Sequence, residues 1–272
     1  MIDDLKINET LRERWYAKGY WTHDTIADIW QRAAVAHPDR EYVCDDTGSR
    51  LTYGEVDDKA GRVAAWLIAG IKASDVVTLQ FPTWAEFTIV YVAVLKVGGV
   101  VHPVPRNYND VDLEYAMNLV GSRAYLSPTF SHNTDYEAQI LSVRDAVPTL
   151  AAIAVLDKQA PSHSGCPTFD DIYERFEPLR EPVPVSADSV ACILPTSGTT
   201  GKPSSPCSPT TTSCSPSASS RESWGAPRAT SVHALALEPP PPASSTGSSR
   251  RLLGAGGRCC SRTSDRARPS SS

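Results

Sequence analysis

The sequence contains no run of ~18 uninterrupted apolar residues, which leaves no candidate for a membrane-spanning helix. Its opening, MIDDLKINETLRERW, is charged throughout and has no apolar stretch of secretory-leader type. These two absences predict a soluble, cytoplasmic protein with no membrane partner. Cysteine follows no pairing pattern: Cys44, Cys166 and Cys192 are scattered, and Cys207, Cys214, Cys259 and Cys260 show no CxxC spacing, with only His233 near them. A disulfide framework is excluded and no metal site is expected. The last 69 residues lack Lys, Ile, Met, Phe, Tyr, Asn and Gln altogether, while 19 of them are Ser and nine are Pro. With so little to bury, residues 204–272 cannot offset the entropy of ordering, and a disordered tail is predicted. That tail has eight Arg but, apart from Trp224, no aromatic residue, so nucleic acid is not an expected partner.

Residues 1–203 have the composition of an ordinary globular domain, with 18 basic against 28 acidic residues. Ile26, Ile29, Trp30, Ala33 and Ala34 recur at helical spacing between Asp24 and Ala36, and Pro38 prevents continuation. EYVC and RLTY flank the turn Asp45-Asp46-Thr47-Gly48 and read as a hairpin. Thr52 with Glu55 three residues on forms a capping box, which starts a helix with Val56, Lys59-Ala60, Val63, Leu67 and Ile68 on its inner stripe. Apolar strands then alternate with helices. DVVTLQF, GVVHPV, RAYLS, AAIAVL and SVACIL read as strands; Trp84–Leu95, Asp110–Val120, Asp135–Ala146 and Thr168–Phe176 read as helices. Continuous apolar strands separated by helices predict βαβ units, hence an α/β domain with a mainly parallel sheet flanked by helices.

The segment after SVACIL carries the chemistry. Leu194-Pro195-Thr196-Ser197-Gly198-Thr199-Thr200-Gly201-Lys202-Pro203 leaves the carboxyl end of a predicted parallel strand, where open α/β sheets bind ligands. Gly198 and Gly201 permit close backbone approach, four hydroxyls can donate to phosphate oxygens, and Lys202 adds positive charge. A Walker A loop is excluded, because only Thr199 and Thr200 separate the two glycines and Pro203 follows Lys202. The alternative is a flexible Ser/Thr/Gly linker.

TSGTTGKP resembles the phosphate loop of the AMP-binding, adenylate-forming ligases: acyl-CoA synthetases, aryl-AMP ligases and the adenylation domains of peptide synthetases. Further segments resemble that family in the same order: Leu51-Thr52-Tyr53-Gly54-Glu55-Val56, DVVTLQFPTWAEF, and AVLKVGGVVHPVPRNY over residues 93–108. RERWYAKGYW and DYEAQILSVRDAVPTL look closest to aryl-AMP ligases of the dihydroxybenzoate type and to related aryl or alicyclic acyl-CoA ligases. The resemblance covers residues 12–203 and implies the N-terminal part of the ligase fold. It implies ATP and Mg²⁺ as cofactors, a carboxylic acid as substrate, and the thiol of CoA or a carrier protein as acceptor. By resemblance, Thr196, Ser197, Gly198, Thr199, Thr200, Gly201 and Lys202 hold the β- and γ-phosphates while the carboxylate attacks the α-phosphorus.

The family pattern continues after Pro203 with Lys and Gly, whereas this chain has Ser204 and Ser205. The acid pocket, adenine-binding stretch, Mg²⁺-binding Glu, ribose-binding Asp and C-terminal lysine expected downstream have no counterpart in the tail. The chain is therefore expected to be inactive alone, and the abrupt change points to a shifted reading frame near codon 204. Of the remaining residues, His102 reads as a structural histidine at a strand end, Asp45-Asp46 as a turn pair, and Asp57-Asp58 as a pair on a polar helix face. Trp84 and Phe87 read as core.

Overall fold

The computed structural model describes residues 8–195 and 207–209. Residues 196–206 and the rest of the predicted tail lie outside the described residues. After a short helix, α1 (Glu9–Ala17), comes α2 (Ile26–Ala36), opened by a capping box between Thr25 and Asp28. The hairpin β1 (Glu41–Cys44) and β2 (Arg50–Thr52) leads into α3 (Tyr53–Leu67), where Thr52 and Glu55 form the expected capping box. The alternating part then runs through β3 (Val76–Leu79), α4 (Ala85–Lys96), β4 (Val100–Pro103), α5 (Asp110–Val120) and β5 (Ala124–Pro128). A two-stranded ribbon, β6 (Phe130–Ser131) and β7 (Thr134–Asp135), precedes α6 (Tyr136–Val143), β8 (Ala152–Leu156), α7 (Phe169–Arg175) and β9 (Val190–Ile193). A last strand, β10 (Cys207–Pro209), pairs antiparallel with β9, so these three residues of the segment expected to be disordered are drawn into the main sheet by backbone hydrogen bonding.

The main sheet has the order β10-β9-β4-β3-β5-β8, and the five strands from β9 to β8 are mutually parallel. Connections running one way along the sheet, β3 to β4 and β8 to β9, use α4 and α7; both pack in one core layer with α2 and α3. Connections running the other way, β4 to β5 and β5 to β8, use α5 and α6, which form the opposite layer against Tyr125, Ile153 and Val155. Right-handed crossovers require this segregation. Strand residues alternate accordingly: Val77, Leu79, Val101, Leu126 and Ala154 face the α3/α4 layer.

Three local expectations change. The inner stripe of α3 stops at Leu67, and Ile68 is 47% exposed. The turn at His132-Asn133, both at positive φ, was not anticipated from composition; it makes the β6–β7 ribbon. Asp57 does not lie on a polar face: it is only 8% exposed and bonds to two groups of the core. Lys96 Nζ, fully buried at the end of α4, sits 2.7 Å from Asp57 Oδ1, and the indole nitrogen of Trp30 donates to the same oxygen at 2.8 Å. Lys96 Nζ also donates to Leu179 O at 3.2 Å, so the ion pair fastens α2, α3, α4 and the segment leading to β9. Among the described residues no disulfide joins Cys44, Cys166 and Cys192, and no helix is long and apolar enough to cross a membrane.

Candidate functional site at the carboxyl edge of the sheet

β9 lies parallel to β4 with Val101 opposite Cys192, so Leu194 and Pro195 leave the sheet at its carboxyl edge. All seven candidate phosphate-loop residues, Thr196 to Lys202, lie outside the described residues. Three polar clusters along this edge of the sheet are described.

On β4, one residue beyond Val101, His102 is fully buried. Counting protons fixes its tautomer. Ser122 Oγ donates its only proton to Ala124 O at 3.0 Å, so the 2.8 Å bond between Thr78 Oγ1 and Ser122 Oγ must be donated by Thr78. The 3.0 Å bond between Thr78 Oγ1 and His102 Nδ1 must then be donated by the imidazole. His102 Nε2 is left as a bare acceptor, buried and without a hydrogen-bond partner. Burial with no counter-charge pushes the imidazole pKa down to about 4, so His102 is neutral at physiological pH. The histidine is structural in its Nδ1 half only.

The strand order reverses between β3 and β5, the topological switch point at which an open sheet offers a crevice. Here the crevice is filled by the chain itself. Gln80, fully buried just past β3, receives a 2.6 Å hydrogen bond from Tyr125 Oη at Oε1, and its amide nitrogen donates to Pro105 O at 3.2 Å. Val104 N donates to Leu79 O at 2.8 Å, and Tyr136 Oη donates to Arg106 O at 3.2 Å. Burial raises the Tyr125 pKa well above the usual phenol range, which keeps the donor proton in place. The Pro103–Arg106 turn is thereby clamped over the switch point.

A third cluster lies over the N-terminus of α4. Trp84, its N-cap residue, makes no side-chain cap; instead Asp45 Oδ2, from the β1–β2 turn, accepts from Ala85 N at 2.9 Å. Asp45 Oδ1 accepts from Thr47 N, Thr47 Oγ1 and Ser49 N at 3.0, 2.6 and 3.1 Å. Lys158, just past β8, lies 3.0 Å from Glu86 Oε1 and 3.5 Å from Asp45 Oδ2, over the Trp84 ring. Burial raises the Asp45 pKa, but the hydrogen bonds from Thr47, Ala85 and Ser49 and the charge of Lys158 outweigh it and hold the carboxyl below its ordinary value. Asp45 lies in a turn, as its sequence indicated, but nothing in that local sequence reveals a helix forty residues away. Trp84 is core, as expected, and Phe87 is half-buried.

No group of three or more His, Cys, Asp and Glu side chains that could hold a metal occurs among the described residues.

The sequence profile of the AMP-binding enzyme family matches residues 30–204. The chain belongs to the AMP-binding enzyme family. Among curated relatives it is similar to the medium-chain fatty-acid–CoA ligase of Escherichia coli, 33% identical over 200 residues that cover 73% of this chain and 35% of that protein. It is also similar to the 2,3-dihydroxybenzoate–AMP ligase of Bacillus subtilis, 28% identical over 196 residues that cover 71% of this chain and 34% of that protein. The aryl-AMP resemblance is therefore present but not exclusive. Among solved structures, an anthranilate CoA ligase in complex with anthranoyl-AMP superposes with a TM-score of 0.63 at 18% identity, covering 69% of this chain and 35% of that one. The fold is thus that of the adenylate-forming ligases. The chain spans about a third of the length of the relatives it matches.

Proposed function

We propose that residues 1–203 are the N-terminal part of an ATP-dependent ligase that joins a carboxylic acid to the thiol of CoA or a carrier protein. In this reading Thr196–Lys202 grip the β- and γ-phosphates. A carboxylate oxygen attacks the α-phosphorus, the bond to the β-phosphate bridging oxygen breaks, and pyrophosphate leaves with its charge offset by loop amides, hydroxyls and Lys202. A thiol then displaces AMP. The observation that supports this is the position of β9: it runs parallel beside β4, and its carboxyl end delivers the chain directly into TSGTTGK. The plugged crevice between β3 and β5 agrees with a nucleotide held on the β9 side rather than at the switch point.

The family match stops at residue 204, where the Ser- and Pro-rich segment begins. We take residues 204–272, of which Cys207–Pro209 pair with β9, as a tail that adds no catalytic group, and the chain as inactive alone in the cytoplasm. Titrating ATP and AMP against the purified chain and assaying carboxylate-dependent pyrophosphate exchange tests both parts. ATP binding that weakens in Lys202→Ala, without exchange, is the expected result. Exchange would overturn the claim of inactivity, and absence of ATP binding would remove the phosphate-loop assignment.

A further inference from the structure

The chain between β8 and α7 forms a strap along the exposed edge of the main sheet. β8 is the terminal strand, and its sequence, AIAVL, is apolar and uncharged. Such an edge presents unpaired backbone groups to any second strand. Ala152 N bonds inward to Arg123 O, so by alternation Ile153 and Val155 point their backbone groups outward. The strap hydrogen-bonds to the edge at Val155: Val155 N donates to Pro167 O at 3.0 Å, and Val155 is bridged in parallel to Thr168. Beside Ile153 the edge opens into a groove of about 400 Å³ lined by Trp66, Leu141, Arg144, Leu150 and Cys166.

What holds the strap is one carboxylate. Glu137, in the first turn of α6 and fully buried, accepts from Ser162 Oγ at 2.7 Å, His163 N at 3.1 Å, Ser164 N at 3.1 Å and Ser164 Oγ. His163 Nδ1 lies 2.9 Å from its second oxygen, and Gly165, at positive φ, turns the strap back toward β8. A second tie joins Thr129 Oγ1 to Ala160 O. Removing the carboxylate would strand three or more donors and free the strap.

We propose that Glu137 is the latch of an edge guard: it pins residues 157–168 along β8, and its loss lets β8 pair antiparallel with β8 of a second copy of this chain. A two-fold axis makes such a contact self-complementary, and AIAVL carries no charge that would repel its own copy. The test uses the full chain, comparing the wild type with Glu137→Ala and with the milder pair Ser162→Ala/Ser164→Ala. Amide exchange of Val155 should accelerate about tenfold, and self-association in sedimentation velocity should tighten by about tenfold, the scale of one hydrogen-bond contribution. Ile153→Pro added to either background removes an outward donor and should return association to the wild-type level. Unchanged Val155 exchange would refute the latch. Faster exchange without tighter association, or association that survives Ile153→Pro, would refute the exposed edge. Should Glu137→Ala fail to melt cooperatively, the serine pair decides on the same readings.

Discussion

Acidification should destabilise this protein through His102 before its carboxylates are affected. The imidazole has an ordinary pKa of 6.5 and a folded one of about 4, because burial disfavours the charged ring and Nε2 has no acceptor to share a proton with. The folded state therefore resists the proton that the unfolded chain takes up. The stabilisation from a neutral His102 is complete above pH 6.5 and is lost as pH falls from there toward 4. At ~1.4 kcal/mol per pKa unit the loss is about 2 kcal/mol at pH ~5 and about 3 kcal/mol at pH ~4. A marginal domain would feel either figure, since net stabilities are only ~5–15 kcal/mol. The assay is urea unfolding at a series of pH values for the wild type and for His102→Asn, which keeps a donor toward Thr78 but cannot be protonated. Stability of the wild type should fall by about 2 kcal/mol between pH ~7 and ~5 while the variant stays nearly level. Parallel curves over that interval would show that His102 is not the titrating group and that Nε2 is hydrated or paired.

Other expectations concern packing, charge and the gene. Asp57→Leu and Lys96→Met should each cost about 3–5 kcal/mol in denaturant unfolding, because each leaves a buried charge unpaired, while the double variant should lose far less than the two together; additive losses would contradict the pairing. Gly61→Ala should cost about 1–3 kcal/mol, since its Cβ would stand 2.8 Å from Pro178 Cβ and 3.0 Å from Leu179 O. Gly70→Ala, with nothing within 4 Å, should be neutral or slightly stabilising in the same thermal melt. Asp45→Ala should lower stability by about 1–2 kcal/mol by uncapping α4. The Asp45 contribution is present above the ordinary carboxylate pKa and disappears as pH falls through the depressed folded value. Nucleotide sequence across codon 204 should reveal an alternative frame that continues the ligase pattern with Lys and Gly after Pro203; a locus with no such frame would end that explanation of the tail.

The sequence by itself determined the order and kind of the elements, because those depend on neighbours within one turn or one strand. Thr52 and Glu55 announce α3, Gly121 closes α5 at φ +66°, and the apolar strands separated by helices specify a parallel sheet. The hydroxyl- and glycine-rich string after SVACIL, proposed as a phosphate loop, was equally legible, since it is contiguous. Tertiary structure decided which distant groups meet. Asp57 is indistinguishable from Asp58 in sequence, one residue apart on a mixed helix; only the crossing of α3 and α4 brings Lys96 to the first and leaves the second to Arg62 and Arg180. The strand order put Gln80 beside Tyr125 and closed the switch point, while the docking of the β1–β2 hairpin put Asp45 at the N-terminus of α4. The same order made β8 an edge and so gave Glu137 something to guard. Local patterns fix dihedral choices residue by residue, whereas the value of a buried polar group is set by partners that the chain reaches only after it has folded.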